Sequence, residues 1–259
     1  MNFSLVIPVH NEASMLVYSL PSTYRLGAKE VIFVLDRCTD DTEHIIRKFW
    51  EKCYSNGGNI DLVLLNVKRK SNWRIHLNFL YDLGIRKAKS KIVLLSQADI
   101  IYDSTKIREN IQKASYGMVS FSVTEHPHIA PWNHFVTVTL QKLGVVFGLE
   151  RFSGLFAFSK EHYLTCPLTA EDQLNFDTQL LMNFKVKGYP YIYVISKNLN
   201  LRPALIFRGE SEKLLKVGAD RYKMGKPFWN VLLLSIIRLT PEILLGYMQT
   251  KFYYTNVMV

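Results

Sequence analysis

The stretch Ser4-Leu5-Val6-Ile7-Pro8-Val9-His10-Asn11-Glu12 decides the architecture. Leu5-Val6-Ile7 is an unbroken apolar run, the length of a strand buried on both faces, and it ends in a proline and polar residues. The same pattern recurs twice. Val31-Ile32-Phe33-Val34-Leu35 runs straight into Asp36, and Ile92-Val93-Leu94-Leu95 reaches Asp99 after Ser96-Gln97-Ala98. In an open α/β sheet, ligands bind outside the carboxyl ends of the strands. This spacing gathers Asn11, Glu12, Asp36 and Asp99 along one rim.

Outward from these strands, apolar runs alternate with amphipathic stretches over the first ~125 residues, as βαβ units do. The reading gives strands at 4–9, 30–35, 61–66, 91–96 and 118–123. Helices fall at 13–20, from Thr39 or Asp40 to about 54, at 72–88, and from an Asp103-Ser104 cap to about 114. Right-handed crossovers make this a doubly wound, mostly parallel sheet with helices on both faces. After Glu125 the rhythm changes. His126-Pro127-His128 and Ala130-Pro131-Trp132 mark a loop, followed by an apolar helix at 134–147, a strand at 153–158, a helix at 171–187 and a strand at 191–195. The domain is expected to span 1–200, with halves at 1–125 and 126–200. Residues 201–259 form a basic, then apolar, helical extension.

The chain has 259 residues, 48% of them hydrophobic and 21% charged, which fits one folded domain with an appendage rather than a disordered chain. Its 32 basic and 22 acidic residues give a net charge of +10 and favour anionic partners. A rim of carboxylates is unexpected on so basic a protein. A divalent cation and a nucleotide at that rim account for it. Cys38, Cys53 and Cys166 are too few and too widely spaced for a disulfide framework or a zinc site, and point to a reducing compartment. The N-terminus opens on a strand pattern, so no secretory signal is expected and the setting reads as cytoplasmic. Residues 228–248 are the most apolar stretch, but Arg238, Pro241 and Glu242 interrupt it. A spanning helix needs ~20 nearly uncharged residues, so peripheral contact with the cytoplasmic face of a membrane is the expectation for this tail.

Five segments, in order, resemble the family 2 inverting glycosyltransferases of GT-A fold. Ser4 to Glu12 is similar to the family's opening. Val34-Leu35-Asp36-Arg37-Cys38-Thr39-Asp40-Asp41-Thr42 resembles its second motif, and Leu94-Leu95-Ser96-Gln97-Ala98-Asp99 its metal motif, with Gln97 where the first Asp usually stands. Ser153-Gly154-Leu155-Phe156-Ala157-Phe158 resembles the small-residue strand beside the donor sugar. Ala170-Glu171-Asp172 resembles the Glu-Asp pair that supplies the base. The resemblance implies a GT-A (Rossmann-like) fold and a nucleoside diphosphate sugar donor, UDP- or GDP-linked. It also implies a Mg²⁺ or Mn²⁺ ion that Asp99 ligates while neutralising the departing diphosphate. It implies that Pro8, Asn11 and Glu12 shape the nucleotide loop. Asp36 accepts from uracil or guanine, Gln97 and Ala98 lie near the ribose, and Gly154 lies beside the sugar. Asp172 is the expected general base, with Glu171 beside it. Arg74 or Lys70 is placed to reach the diphosphate.

The acceptor stays open: a saccharide, a protein-linked glycan or a lipid phosphate. Phe207-Arg208-Gly209-Glu210-Ser211-Glu212-Lys213 faintly resembles a segment of the polyprenyl-phosphate sugar transferases, in which Arg208 and Lys213 would steer a lipid phosphate. A sugar-1-phosphate nucleotidyltransferase would carry a glycine-rich basic loop after the first strand, where this chain has Pro8 to Glu12. A nucleic-acid-binding protein would need a basic stripe with stacking aromatics. The basic residues here are dispersed, so nucleic acid is not an expected partner.

Overall fold

The structure, a computed structural model, describes residues 2–129, 155–202, 211–223, 225–238 and 241–257, together with 131, 134, 135 and 137–139. The chain divides into two compact units, Met1–Thr124 with Gln141–Leu201, and Glu125–Leu140 with Arg202–Val259.

The first unit is α/β. Its elements are β1 (Phe3–Val9), α1 (Ala13–Arg25), β2 (Glu30–Asp36), α2 (Thr42–Ser55), β3 (Asp61–Val67), α3 (His76–Lys87), β4 (Ile92–Leu95) and β5 (Ile100–Ile101). There follow α4 (Ser104–Asn110) running into a 3₁₀ turn (Ile111–Ser115), β6 (Met118–Glu125), β7 (Phe156–Ser159), α5 (Lys160–Thr165), α6 (Phe176–Val186) and β8 (Tyr191–Asn200). Among the described residues eight strands form one mixed sheet in the order β3-β2-β1-β4-β7-β6-β8-β5. β3, β2, β1 and β4 are parallel, while β7 is antiparallel to both β4 and β6. The chain steps outward from β1 to β3 and then returns to β4 on the other side of β1. The β1/β4 junction is therefore the topological switch point, where the carboxyl ends diverge and open a crevice.

The apolar runs are continuous because both faces of these strands are covered. Leu5, Ile7, Val9 and Phe33 pack with Leu16, Leu20, Ile46 and Trp50 from α1 and α2. Val6, Ile32 and Val34 face the other way, toward Leu80, Tyr81 and Ile85 of α3 and Leu180 and Phe184 of α6. Gly84 lets α3 lie against the sheet. A Cβ there would fall onto Val6 Cγ1 and 3.1 Å from Val34 Cγ2. Alanine normally favours a helix over glycine by about 0.5–1 kcal/mol. At this position the stiff, buried Val6 cannot yield, so Gly84→Ala is expected to destabilise by about 1–3 kcal/mol in urea unfolding.

The second unit contains α7 (Ser211–Lys223), α8 (Phe228–Arg238) and α9 (Pro241–Val257). Leu214, Val231, Ile243 and Tyr247 form its core. A side chain at Gly218 would strike the backbone of Ile243, and one at Gly246 the backbone of Leu215, so α7 and α9 pack backbone to backbone. None of the described helices is long and apolar enough to cross a membrane.

Several boundaries differ from the sequence expectation. α1 continues past Leu20 to Arg25 with Pro21 inside it. Pro21 lies on the exposed face, where water can satisfy the Val17 carbonyl that it leaves unbonded. The helix expected at 72–88 begins at His76, and the one expected at 171–187 begins at Phe176. In both cases the preceding polar residues form a loop that docks on the other, with Arg74 N–H donating to Ala170 O at 3.0 Å. The short strand β5 was not anticipated. Two residues pairing antiparallel with the far end of β8 leave no periodic signal. Most of the helix expected at 134–147 lies outside the described residues.

Candidate active site

Four loops meet at the carboxyl ends of the parallel strands, and each is fixed by identifiable bonds. Pro8 sits in β1 opposite Val34. The β4 ladder ends at Val6, whose carbonyl accepts from Ser96 N–H at 3.0 Å. Strand alternation points position 8 to that same side, beyond the end of β4, so proline's missing donor breaks no ladder bond there. Beyond β1, Asn11 has a left-handed φ of 53°, a conformation that asparagine tolerates. Its Oδ1 accepts from Thr39 N–H at 2.8 Å, tying the first loop to the second. Glu12 N–H donates to Thr42 Oγ1 at 2.8 Å.

Thr39 or Asp40 was expected to cap α2. In the structure Asp41 occupies the N-cap position, and Asp40 serves two helices. Its Oδ1 accepts from Thr42 N–H and its Oδ2 from Ala13 N–H, each at 3.1 Å. Burial works upward on the Asp40 carboxyl, but these bonds hold it below the ordinary carboxylate value.

Asp36 ends β2 and is buried. Its Oδ1 accepts from Arg37 Nε at 2.8 Å and from His76 Nε2 at 2.9 Å, and its Oδ2 accepts from Arg37 Nη2 at 2.8 Å. Burial pushes this carboxyl up, but the Arg37 and His76 bonds outweigh it and leave it below its ordinary value. Ser71 N–H donates to His76 Nδ1 at 3.0 Å, which fixes the proton on Nε2, facing Asp36. His10 Nδ1 donates to Asp36 O at 2.5 Å. The sequence reading named Asp36 but neither Arg37 nor His76 as its partners. His76 lies 40 positions away, and only the packing of α3 brings it there.

The third loop, Ser96-Gln97-Ala98-Asp99, is held at four points. Tyr81 Oη donates to Ser96 O at 3.0 Å, and Tyr102 Oη donates to Ser96 Oγ at 2.7 Å. Ala98 O accepts from Ser19 Oγ at 2.6 Å, and Asp99 O accepts from Leu201 N–H at 2.8 Å. Asp99 and Ala98 are buried, while Gln97 is half-buried.

Tyr81 also joins this loop to a fourth. Its ring packs on Phe176 with centroids 4.0 Å apart, and Asn78 Nδ2 donates to Leu174 O at 3.0 Å, so α3 sets the start of α6. Asp177, in the first turn of α6, is half-buried, and burial raises its carboxyl above the ordinary value despite the bond from Thr178 N–H at 2.7 Å. The Tyr81 phenol is raised first by burial and then by the charges of Asp177 and Asp99, so both carboxylates lie within electrostatic reach of the same ring. Asp177 was not singled out in the sequence. The available signal was Asn175, an N-cap residue type directly before the helical run that ends at Gly188.

Asp172, the base expected from the sequence, is buried and bonds within its own turn. Its Oδ2 accepts from Thr169 N–H at 2.8 Å and its Oδ1 from Thr169 Oγ1 at 2.9 Å, four residues before α6 begins. Glu171, Arg74 and Lys70 are exposed in the two docked loops. Gly154 and Arg208 lie outside the described residues, and Lys213 falls on α7 in the second unit. There too, His126 and His128 stack loosely at 5.4 Å, and His134 Nδ1 donates to Glu125 O at 2.8 Å.

Among the described residues no group of three or more His, Cys, Asp or Glu side chains converges as a cage for a metal. A Mg²⁺ or Mn²⁺ site does not need such a cage. Such hard ions use one or two carboxylates, with phosphate oxygens and waters completing the shell. Asp99, in the loop after β4, is the residue the sequence reading assigned to such an ion.

A doubly wound sheet that turns antiparallel after β4 is an α/β architecture consistent with the GT-A fold. The model of glycosyl transferase family 2 matches residues 4–142, and the chain belongs to that family. A comparison with curated protein sequences finds no match. Among solved structures, the chain is similar to a mannosyltransferase from Pyrobaculum calidifontis in complex with GDP-Man and Mn²⁺. The two share 17% identity at a TM-score of 0.60 over 84% of this chain, which spans 61% of that protein's length. It is also similar to glucosyl-3-phosphoglycerate synthase from Mycobacterium tuberculosis in complex with Mn²⁺, UDP and phosphoglyceric acid, at 17% identity and a TM-score of 0.52, covering 80% of this chain and 73% of that one. GalNAc-T7, solved with UDP, GalNAc and Mn²⁺, aligns at 16% identity and a TM-score of 0.54 over 78% of this chain and 44% of its own. At these identities the likeness shows the fold.

Proposed function

We propose that this chain transfers a sugar, with inversion, from a nucleoside diphosphate donor to an acceptor, and that Asp177 is the general base. The observation that carries this reading is that Tyr81 ties the loop of Asp99 to the start of α6, where Asp177 lies: its hydroxyl donates to Ser96 O at 3.0 Å and its ring packs on Phe176 at 4.0 Å. Asp99 is the residue that would hold Mg²⁺ or Mn²⁺, and the bound ion would neutralise charge on the departing diphosphate. Arg74, exposed beside the crevice loops, would add positive charge to the same phosphates. Asp177 would take the proton from the acceptor hydroxyl as its oxygen attacks the anomeric carbon opposite the leaving group. Its raised carboxyl suits that role, because a base is most effective when its pKa lies nearer the working pH. Asp172 was the base expected from the sequence, but both of its oxygens bond Thr169, which supports a turn-forming role instead. Transfer and donor hydrolysis, measured across UDP-, GDP- and other sugar donors with and without Mn²⁺, test the reading. Metal-dependent turnover of at least one donor is expected, and turnover of none rules the reading out.

Peripheral contact with an anionic membrane is a further part of the proposal. It is supported by Trp229, Leu233 and Ile236, which share one face of α8 and are 72%, 58% and 61% exposed. Such a stripe on a basic segment suits insertion at the headgroup boundary. Full-length protein is expected to float with phosphatidylserine vesicles at low salt, and Trp229→Ala with Leu233→Ser to remain in the soluble fraction. A lipid phosphate acceptor would fit that location, and the hydroxyl acceptor remains the primary reading.

A further inference from the structure

Resting on the glycosyltransferase reading, we infer that Arg37 selects the donor's base, making this a site for an imide nucleobase, uracil or thymine, and excluding guanine. The order β2-β1-β4 puts Asp36 two strand spacings, ~10 Å, from the end of β4. That is about the reach from a diphosphate at Asp99, through a ribose, to a base at Asp36.

The chemistry at Asp36 is set by an unusual backbone turn. Successive side chains in a strand point to opposite faces, so Asp36 and Arg37 would ordinarily diverge. Arg37 instead has a φ of 48°, in the left-handed region. Its N–H still donates to Val67 O at 2.9 Å, which anchors the turn to β3. The side chain thereby folds back and grips its own neighbour through two parallel bonds.

This leaves a defined set of free groups. A carboxylate offers about four lone-pair positions, and three on Asp36 are taken, two on Oδ1 and one on Oδ2. One acceptor position on Oδ2 remains. Of the five N–H donors of Arg37, three remain beside it. Guanine presents two adjacent donors, N1–H and N2–H, and needs two acceptors from the carboxylate. Uracil and thymine present one donor, N3–H, flanked by two carbonyl oxygens. N3–H fits the single free position on Oδ2, and the spare Arg37 donors fit an adjacent carbonyl. Adenine and cytosine offer an exocyclic amino group and a ring acceptor but lack the second carbonyl-flanked edge. They are expected to bind less well than the imide bases.

The test is calorimetric titration of the full chain, with Mn²⁺ present, using UDP, dTDP, GDP, CDP and ADP. UDP and dTDP are expected to bind alike, with GDP at least about tenfold weaker, the size expected when a buried polar group is left mismatched. Arg37→Gly accepts the left-handed φ without strain and frees both oxygens of Asp36. In that variant the gap between UDP and GDP is expected to shrink at least about threefold, mainly through a gain for GDP. Arg37→Lys keeps the charge and loses the fork, and is expected to fall between. GDP binding as tightly as UDP in the unaltered protein, or an unchanged gap in Arg37→Gly with native thermal unfolding, would overturn the selection by Arg37 and leave the glycosyltransferase reading intact. Equal binding of CDP or ADP would overturn the imide preference in the same way. Failure of every nucleoside diphosphate to bind would remove the glycosyltransferase reading itself and this inference with it.

Discussion

Asp177→Asn is expected to lower sugar transfer to a hydroxyl acceptor by ~10²–10⁴-fold, the usual share of general-base catalysis. Donor binding should change little, because the amide would keep the shape of the carboxylate and would still accept from Thr178 N–H. Stability provides the control. Burial raises the Asp177 carboxyl above its ordinary 3.8, so the folded chain binds this proton more tightly than the unfolded chain does. Stability contributed by the protonated form is present at low pH and is lost as pH rises through the raised value, leaving the charge a net destabiliser at neutral pH. An amide cannot ionise, so the melting temperature at pH 7 should hold or rise. The acid limb of the rate profile should lie above the ordinary carboxylate range in the unaltered protein and vanish in Asp177→Asn. Asp172→Ala should show the opposite pattern: near-normal transfer and a loss of about 1–2 kcal/mol as the Thr169 turn loses its acceptors. Transfer that survives Asp177→Asn and fails with Asp172→Asn would return the base to the position expected from the sequence.

The second large effect is expected at Asp99. Asp99→Asn should weaken Mn²⁺-dependent UDP binding by about 1–3 kcal/mol, the size of a lost charged contact, and change metal-free binding much less. Gln97 contributes no charge, so Asp99 would carry most of the protein's attraction for the proposed ion. The measurement is paired titration with Mn²⁺ and with EDTA. Equal binding of the variant and the unaltered chain in Mn²⁺ would remove Asp99 from the metal assignment.

Much of the site was legible because its residues follow strands. A strand buried on both faces is an unbroken apolar run, and the first polar residue after it marks the carboxyl end of the sheet. Asp36 and Asp99 were found that way. The helical side was less legible. Asp172 follows a proline-containing loop and sits in an acidic pair, which resembles a helix start. α6 begins at Phe176 because Phe176 packs on Tyr81 and Leu174 is bonded by Asn78. Those contacts join segments far apart in the chain, and no local propensity encodes them.

By itself the sequence determined the alternation of strands and helices, the parallel half of the sheet and the rim that carries Asn11, Glu12, Asp36 and Asp99. These depend on local hydrophobic period and on turn residues, which operate within a few positions. Only the tertiary structure decided what faces each carboxylate. It folded Arg37 back on Asp36, brought His76 beside them, and joined the loop of Asp99 to the start of α6 through Tyr81. The physical reason is that a carboxylate's chemistry is set by its burial and its hydrogen-bond partners, and burial, like the bond from His76 to Asp36 across 40 positions, arises only when the sheet and helices pack.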